Sequence, residues 1–199
     1  TKTVIIDAST DDSFAANEDD VLAVIGNAIT NNDSDADGDA LTAQVQSGVA
    51  GSNGGLFSIA SNGNVSFDPN GDFEDLAVGE TRTSTFTYTL VDADGATDTA
   101  TVTVTVTGQN DGPITVGTIA DRTSDDNDPV TLDVTGFFGD PDLSDVLTYS
   151  DGGTLPPGLT IDLNTGIISG TLDTSASAGG PYIVVITADD GNGGTVTQT

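Results

Sequence analysis

The 199-residue sequence contains no cysteine, histidine, methionine or tryptophan. Without cysteine no disulfide can staple the fold, and without cysteine or histidine there is neither a soft-metal site nor the usual base-activated nucleophile of hydrolases. Basic residues are scarce too: Lys2, Arg82 and Arg122 face thirty-two acids, for a net charge of −29. Internal ion pairs cannot cancel such a field, which repels nucleic acid and anionic membrane surfaces and is relieved most directly by a hard divalent cation, Ca2+ before others. Neither a signal-peptide pattern nor an apolar run long enough to insert into a membrane is present, which reads as a piece of a larger protein.

What is present argues for folded structure rather than a solvated acidic tail. Hydrophobic residues make up 35% of the chain and fall in alternating runs such as Thr101-Val102-Thr103-Val104-Thr105-Val106. Of the thirty-two acids, 29 are aspartate and only Glu18, Glu74 and Glu80 are glutamate. Aspartate suits turns, because its short carboxylate reaches its own backbone. Thr and Val dominate the periodic segments, Gly, Asn and Asp separate them, and no helical period is sustained, so the fold class is all-β. Strands are predicted over residues 3–6, 41–46, 57–59, 65–67, 84–91 and 97–107, and again over 130–134, 147–149, 159–161, 166–169 and 182–188. Each series describes one Greek-key sandwich of about 100 residues, so two tandem β-sandwiches are expected.

The junction is placed at Gly108-Gln109-Asn110-Asp111-Gly112-Pro113, giving modules 1–112 and 113–199. The two halves repeat an order of features. Asp33-Ser34-Asp35-Ala36-Asp37-Gly38-Asp39-Ala40-Leu41-Thr42 is echoed by Asp140-Pro141-Asp142-Leu143-Ser144-Asp145-Val146-Leu147-Thr148, and Asp92-Ala93-Asp94-Gly95 by Asp189-Asp190-Gly191. The last strand of the second module is expected to be cut short at Thr199, and residues 1–9 fit either a first strand or the tail of a preceding module.

Calcium takes six to eight oxygen ligands from a flexible loop. Asp33, Asp35, Asp37 and Asp39 supply carboxylates at alternate positions, with Gly38 allowing the turn; the start resembles an EF-hand loop, but Gln44 stands where the closing glutamate belongs. Loops of an antiparallel sandwich gather at its two ends, so Asp92 and Asp94 are expected at the same pole as Asp33 to Asp39. The corresponding pole of the second module would hold Asp140, Asp142 and Asp189 or Asp190, with Asp111 above it. Glu18 and the segment containing Glu74 are expected to complete a site at the joint.

Residues 10–113 resemble a VCBS or bacterial cadherin-like repeat. The match runs through Glu18, Asn32-Asp33-Ser34-Asp35-Ala36-Asp37-Gly38-Asp39, Leu76-Ala77-Val78-Gly79-Glu80-Thr81, Phe86-Thr87-Tyr88-Thr89-Leu90-Val91-Asp92-Ala93-Asp94-Gly95 and the junction. Residues 114–199 resemble the Putative-Ig, dystroglycan-type cadherin-like module, through Phe138-Gly139-Asp140-Pro141-Asp142, Leu155-Pro156-Pro157-Gly158-Leu159 and Gly166-Ile167-Ile168-Ser169-Gly170. The resemblance implies calcium-binding extender or adhesion modules of a large RTX-type bacterial adhesin, type I secreted and displayed at the cell surface or in biofilm. It also implies calcium at the joint, with Glu18, Asn110, Asp111, Asp140 and Asp142 matching the cadherin ligands in type and order. Gly108 and Gly112 stand where cadherin linkers carry a carboxylate and an amide, so one or two ions are expected rather than three.

Other readings are weaker. Acids this numerous always offer some pair at a glycosidase-like separation, and Asp173-Thr174-Ser175 is half of an aspartic-protease motif without a second copy, so no catalytic residue is assigned and the chain is not read as an enzyme. A polysaccharide or a cell-surface protein is the alternative partner to neighbouring modules of the same polypeptide, although three Tyr and seven Phe leave few aromatic platforms for sugar. A weak homodimer through an edge strand is opposed by the net charge. Asp189-Asp190-Gly191-Asn192-Gly193-Gly194 resembles one RTX turn, but one copy builds no β-helix.

Overall fold

In the computed structural model, residues 6–30, 32–36 and 38–199 are described, with side chains from Ser9 onward. The expected strand over residues 3–6 lies mostly outside them, as does Asp37. The chain divides into two compact units, Thr1–Gln109 and Asn110–Thr199.

Unit 1 is built from β1 (Ile6–Ala8), β2 (Asp12–Asn17), β3 (Ala23–Asn27), β4 (Ser34–Asp35), β5 (Thr42–Ala43), β6 (Gln46–Ala50), β7 (Leu56–Ile59), β8 (Asn64–Asp68), β9 (Thr81–Val91) and β10 (Thr97–Thr107). One sheet has the order β2-β10-β9-β5 and the other β3-β8-β7-β6, while β1 pairs with β4 alone. The Thr/Val alternation sets the register. Along β10, Val102, Val104 and Val106 are fully buried and the intervening threonines half-buried, as a two-residue period requires. Against them stand Phe57, Phe67, Phe73, Phe86, Tyr88 and Leu90, with the Phe57 and Phe67 rings 4.8 Å apart. β2 runs parallel to β10, Asp12 opposite Val102 and Asn17 opposite Thr107.

Unit 2 comprises β11 (Ile114–Thr115), β12 (Pro129–Asp133), β13 (Phe138–Gly139), β14 (Thr148–Ser150), β15 (Leu159–Ile161), β16 (Ile167–Thr171), β17 (Ile186–Asp189) and β18 (Thr195–Gln198). Its sheets are β12-β16-β15 and β14-β17-β18, with β11 paired to β13. Val134, Phe138, Tyr149, Ile168, Ile186 and Ala188 form the buried cluster, whereas Leu132, Leu159, Ile161 and Val184 are only half-buried against it.

Several elements differ from the sequence reading. β2 and β3 are not expected from their composition: Asp-Ser-Phe-Ala-Ala-Asn carries too few β-branched residues to signal a strand, and β3 is recruited by its neighbour β8. The run 41–46 is split between β5 and β6, which belong to opposite sheets. The run 182–188 is strand only from Ile186, because β18 supplies a partner from Ile186 onward and none before it.

Candidate metal centre

In unit 2 the turn that follows β13 carries Asp140, Asp142 and Asp145, with a carboxylate oxygen of each within 4.8 Å of the others. Local hydrogen bonds shape it. Asp140 Oδ1 accepts the Asp142 N–H at 3.0 Å, and the Asp142 carbonyl accepts the Asp145 N–H at 3.1 Å. Asp142 is 1% exposed, and its Oδ2 accepts the Asp111 N–H at 3.0 Å. Asp142 Oδ1, Asp140 Oδ2 and Asn110 Oδ1 are buried with no hydrogen-bond partner. A buried oxygen left without a donor costs about 1–3 kcal/mol, more when charged, so three of them beside one acidic turn call for a cation.

The β17–β18 turn supplies the second part. Asp190 is buried; its Oδ1 accepts the N–H groups of Asn192, Gly193 and Gly194, and its Oδ2 accepts from Asn110 Nδ2 at 3.1 Å. Gly194 makes this close approach possible, since a Cβ there would lie 2.2 Å from Asp190 Oδ2. Asn192 Nδ2 donates to Asp145 Oδ2 at 2.8 Å, joining the two turns.

The charges respond accordingly. Burial, reinforced by Asp145, Asp190 and Asp111, pushes the Asp140 carboxyl above its usual range, and burial with Asp111, Asp145 and Asp140 does the same to Asp142. Burial works in the same direction on Asp190, but the Asn110 amide and the three turn N–H groups outweigh it and hold Asp190 low. A doubly charged ion would stabilise all three carboxylates in ionised form. The donor set is all oxygen, which suits a hard cation such as calcium.

Of the residues singled out in the sequence, Asn110, Asp111, Asp140 and Asp142 are therefore linked within this unit. Asp189 is exposed and closes its turn by accepting the Gly191 N–H, so Asp190 is the buried member of that pair. Asp145, not among the candidates, completes the trio; its signal is the spacing Asp140-x-Asp142-x-x-Asp145, open to view in the sequence.

Unit 1 uses its acids differently. Asp33 Oδ1 accepts the Thr10 N–H at 2.8 Å, and its Oδ2 lies 3.1 Å from the Tyr88 hydroxyl. Asp35 Oδ1 accepts the Asp39 N–H, and Asp92 Oδ1 accepts those of Asp94 and Ala96, as Asx-type turns. Among the described residues, Asp33, Asp35, Asp39, Asp92 and Asp94 belong to no trio of acidic groups close enough to share an ion. Glu18 is buried and its Oε1 takes the Gln109 N–H, while Glu74 brings a carboxylate oxygen within 4.8 Å of one from Asp19. Gly108 has a local reason to lack a side chain: a Cβ would lie 2.3 Å from the Leu76 carbonyl oxygen and 2.4 Å from that of Ala77.

Tyr88 lies at the centre of a second buried cluster. Its hydroxyl is 3.0 Å from Asp12 Oδ2, 3.1 Å from Asp33 Oδ2 and 3.1 Å from the Ala28 carbonyl. One hydroxyl proton cannot serve three acceptors at once, so the cluster is best satisfied when one of the carboxyls is protonated. Burial, with the charges of Asp33 and Asp11, pushes Asp12 to about 6 against lowering by Tyr88 and Asn32, so its carboxyl carries such a proton below that pH.

No curated relative matches the sequence. Among solved structures the chain is similar to human CDH23 EC21-23, with a TM-score of 0.64 and 17% identity, covering 94% of this chain and 65% of that one. It is also similar to Drosophila N-cadherin EC1-4, with a TM-score of 0.57 and 16% identity over 95% of this chain and 46% of that one. The chain thus spans less than two thirds of the length of these structures, and the likeness shows the fold. Residues 112–199 match the family model described as "Putative Ig domain". Residues 7–108 match the model described as "Bacterial cadherin-like domain", and the chain belongs to that family.

Proposed function

We propose that this chain is a calcium-binding extender segment of a bacterial adhesion protein, working outside the cell, with Asp140, Asp142 and Asp145 as the primary ion site. The observation that carries the reading is Asp142: a carboxylate 1% exposed, with Oδ1 unsatisfied, beside two further acids. Asn110, Asp111 and Asp190 supply oxygens or hold the loops that present them. When bound, the ion supplies charge neutralisation and fixes the two turns; the role is structural, not catalytic. Asn110 and Asp111 open unit 2 immediately after Gln109, whose N–H is held by Glu18, so ordering them on the ion shortens the free tether between the units and stiffens the joint. The RTX-type context and type I export belong to the same reading and rest on sequence resemblance.

Isothermal titration of the whole chain with calcium tests the site. Binding is expected for the native sequence, and Asp142→Asn should weaken it at least tenfold while Asp151→Asn leaves it unchanged. Equal binding by both variants would refute the assignment. Small-angle scattering with calcium and with chelator tests the stiffening separately: a maximum dimension that does not change would remove the joint from the reading but leave the ion site.

A further inference from the structure

The sequence carries four Asn-Gly pairs, at 53–54, 62–63, 70–71 and 192–193, and the fold treats one of them differently. Asparagine is a chemically labile residue, most so before glycine, which puts no side chain between its own nitrogen and the neighbouring carboxamide. Three of the pairs are held at both reacting groups. The Asn53 carboxamide donates to the Thr83 carbonyl at 2.8 Å, and the Gly54 N–H donates to the Gly51 carbonyl. The Asn62 side-chain oxygen accepts the Asn64 N–H at 3.1 Å, and the buried Gly63 donates its N–H to the Ala60 carbonyl at 2.9 Å. The Asn192 carboxamide donates to Asp145 at 2.8 Å, and the Gly193 N–H to Asp190 Oδ1 at 2.9 Å. At Asn70-Gly71, among the described residues, neither the carboxamide nor the glycine N–H makes a hydrogen bond. Both residues are exposed, and a Cβ placed on Gly71 would meet nothing within 4 Å.

We infer that Asn70 is a site of spontaneous deamidation, with the Gly71 nitrogen as nucleophile and water as the only co-reactant. The pair sits in the turn that follows β8, where Asn70 and Gly71 both adopt positive φ, 57° and 71°, a conformation that asparagine and glycine enter most readily. One main-chain hydrogen bond closes the turn, from the Asp72 N–H to the Pro69 carbonyl at 3.1 Å. Rotation about the Asn70 Cα–C bond opens it and brings the Gly71 nitrogen to Asn70 Cγ. The nitrogen gives its proton to hydroxide as its bond to Cγ forms. The Cγ–Nδ2 bond then breaks, and Nδ2 takes a proton from water and leaves as ammonia, so the product is a five-membered succinimide. Water opens that ring at either carbonyl, giving aspartate or isoaspartate at position 70 and one more negative charge on a chain already at −29. Isoaspartate routes the main chain through Cβ and so lengthens it. Two residues on, Asp72 Oδ2 accepts the Gly55 N–H at 2.8 Å, and the next residue is the fully buried Phe73, so the added length pulls on the core of unit 1.

The test ages the whole chain at mildly alkaline pH, in buffer and in concentrated urea, and follows each pair by mass spectrometry of chymotryptic peptides. Cleavage after Phe67 and Phe73 isolates residues 68–73. In buffer Asn70 should convert at least tenfold faster than Asn53, Asn62 and Asn192. In urea, where no fold holds any of them, the four should convert at similar rates. Conversion of Asn70 no faster than the others in buffer would overturn the inference, and so would a tenfold lead that persists in urea. Hydrogen exchange of the Gly55 amide should quicken in the aged chain in step with the isoaspartate formed, and not in Asn70→Asp, which adds the charge without the extra length. An unchanged Gly55 amide in a converted chain would overturn the link from the turn to the core. None of these outcomes bears on the calcium site, which is read by titration.

Discussion

Replacing Asp12 by asparagine should remove a pH dependence built into the core of unit 1. In the unfolded chain this carboxyl titrates near 3.8, whereas in the folded chain burial raises it to about 6. Below pH 3.8 both states hold the proton. Between the two values only the folded state keeps it, so the favourable contribution present at low pH is lost as pH rises through 6. The gap of about 2 pH units corresponds to about 3 kcal/mol, at 1.36 kcal/mol per unit. A carboxamide in place of the carboxyl has no charge to bury and can still meet the Tyr88 hydroxyl, so Asp12→Asn should gain about 1–3 kcal/mol at pH 8 and nothing near pH 4. Hydrogen exchange of the β9 and β10 amides, followed in chelator from pH 4.5 to 8, reads the stability of this unit separately from the other. The native chain should lose protection across that range more steeply than the variant. Equal slopes would show that general repulsion among the acids, not the buried Asp12–Tyr88–Asp33 cluster, sets the pH response.

Gly108→Ala should destabilise unit 1 by about 1–3 kcal/mol, because the added methyl meets the Leu76 and Ala77 carbonyls; an unchanged denaturation midpoint would contradict that packing. Gly194→Ala should displace Asp190 and weaken calcium binding without removing a ligand, which titration of the variant measures. Arg82→Ala loses a contact of 2.5 Å to Asp75 and the guanidinium over the Phe73 ring at 5.7 Å; being partly exposed, it should cost only about 0.5–1 kcal/mol by chemical denaturation.

The fold was legible where side-chain period and strand coincide. The Thr/Val run of β10 and the Thr-Phe-Thr-Tyr-Thr-Leu of β9 state their buried faces outright; β10 has the expected bounds, and β9 begins three residues before the expected start, at Thr81. β2 was illegible because its pairing comes from β10 and not from its own composition, and the buried face it offers is Asp12 and Ala16 with Phe14 beside them. The acids were harder to read. A carboxylate that caps its own turn and one left without a donor look alike in sequence; the difference is whether a backbone N–H happens to face it. Asp92 and Asp35 find such donors within four residues. Asp142 commits one oxygen to the Asp111 N–H and keeps the other buried and unmet.

That difference also bears on how the two units hold together internally. Unit 1 closes its core with Val102, Val104 and Val106, so its folding needs little beyond its own residues. Unit 2 gathers three acids in one turn, with Asp142 buried and Asp140 and Asp145 half-buried. The unmet buried oxygen of Asp142 lowers the stability of the unliganded unit, and an ion that binds only the folded form offsets that cost. A ligand at a hundred times its dissociation constant adds about 2.7 kcal/mol, a sizeable share of the stability of a 90-residue domain. Calcium should therefore raise the melting temperature of unit 2 by about 10 °C and leave that of unit 1 nearly unchanged. Scanning calorimetry that showed both transitions moving equally would place the ion elsewhere than in the Asp140–Asp142–Asp145 turn.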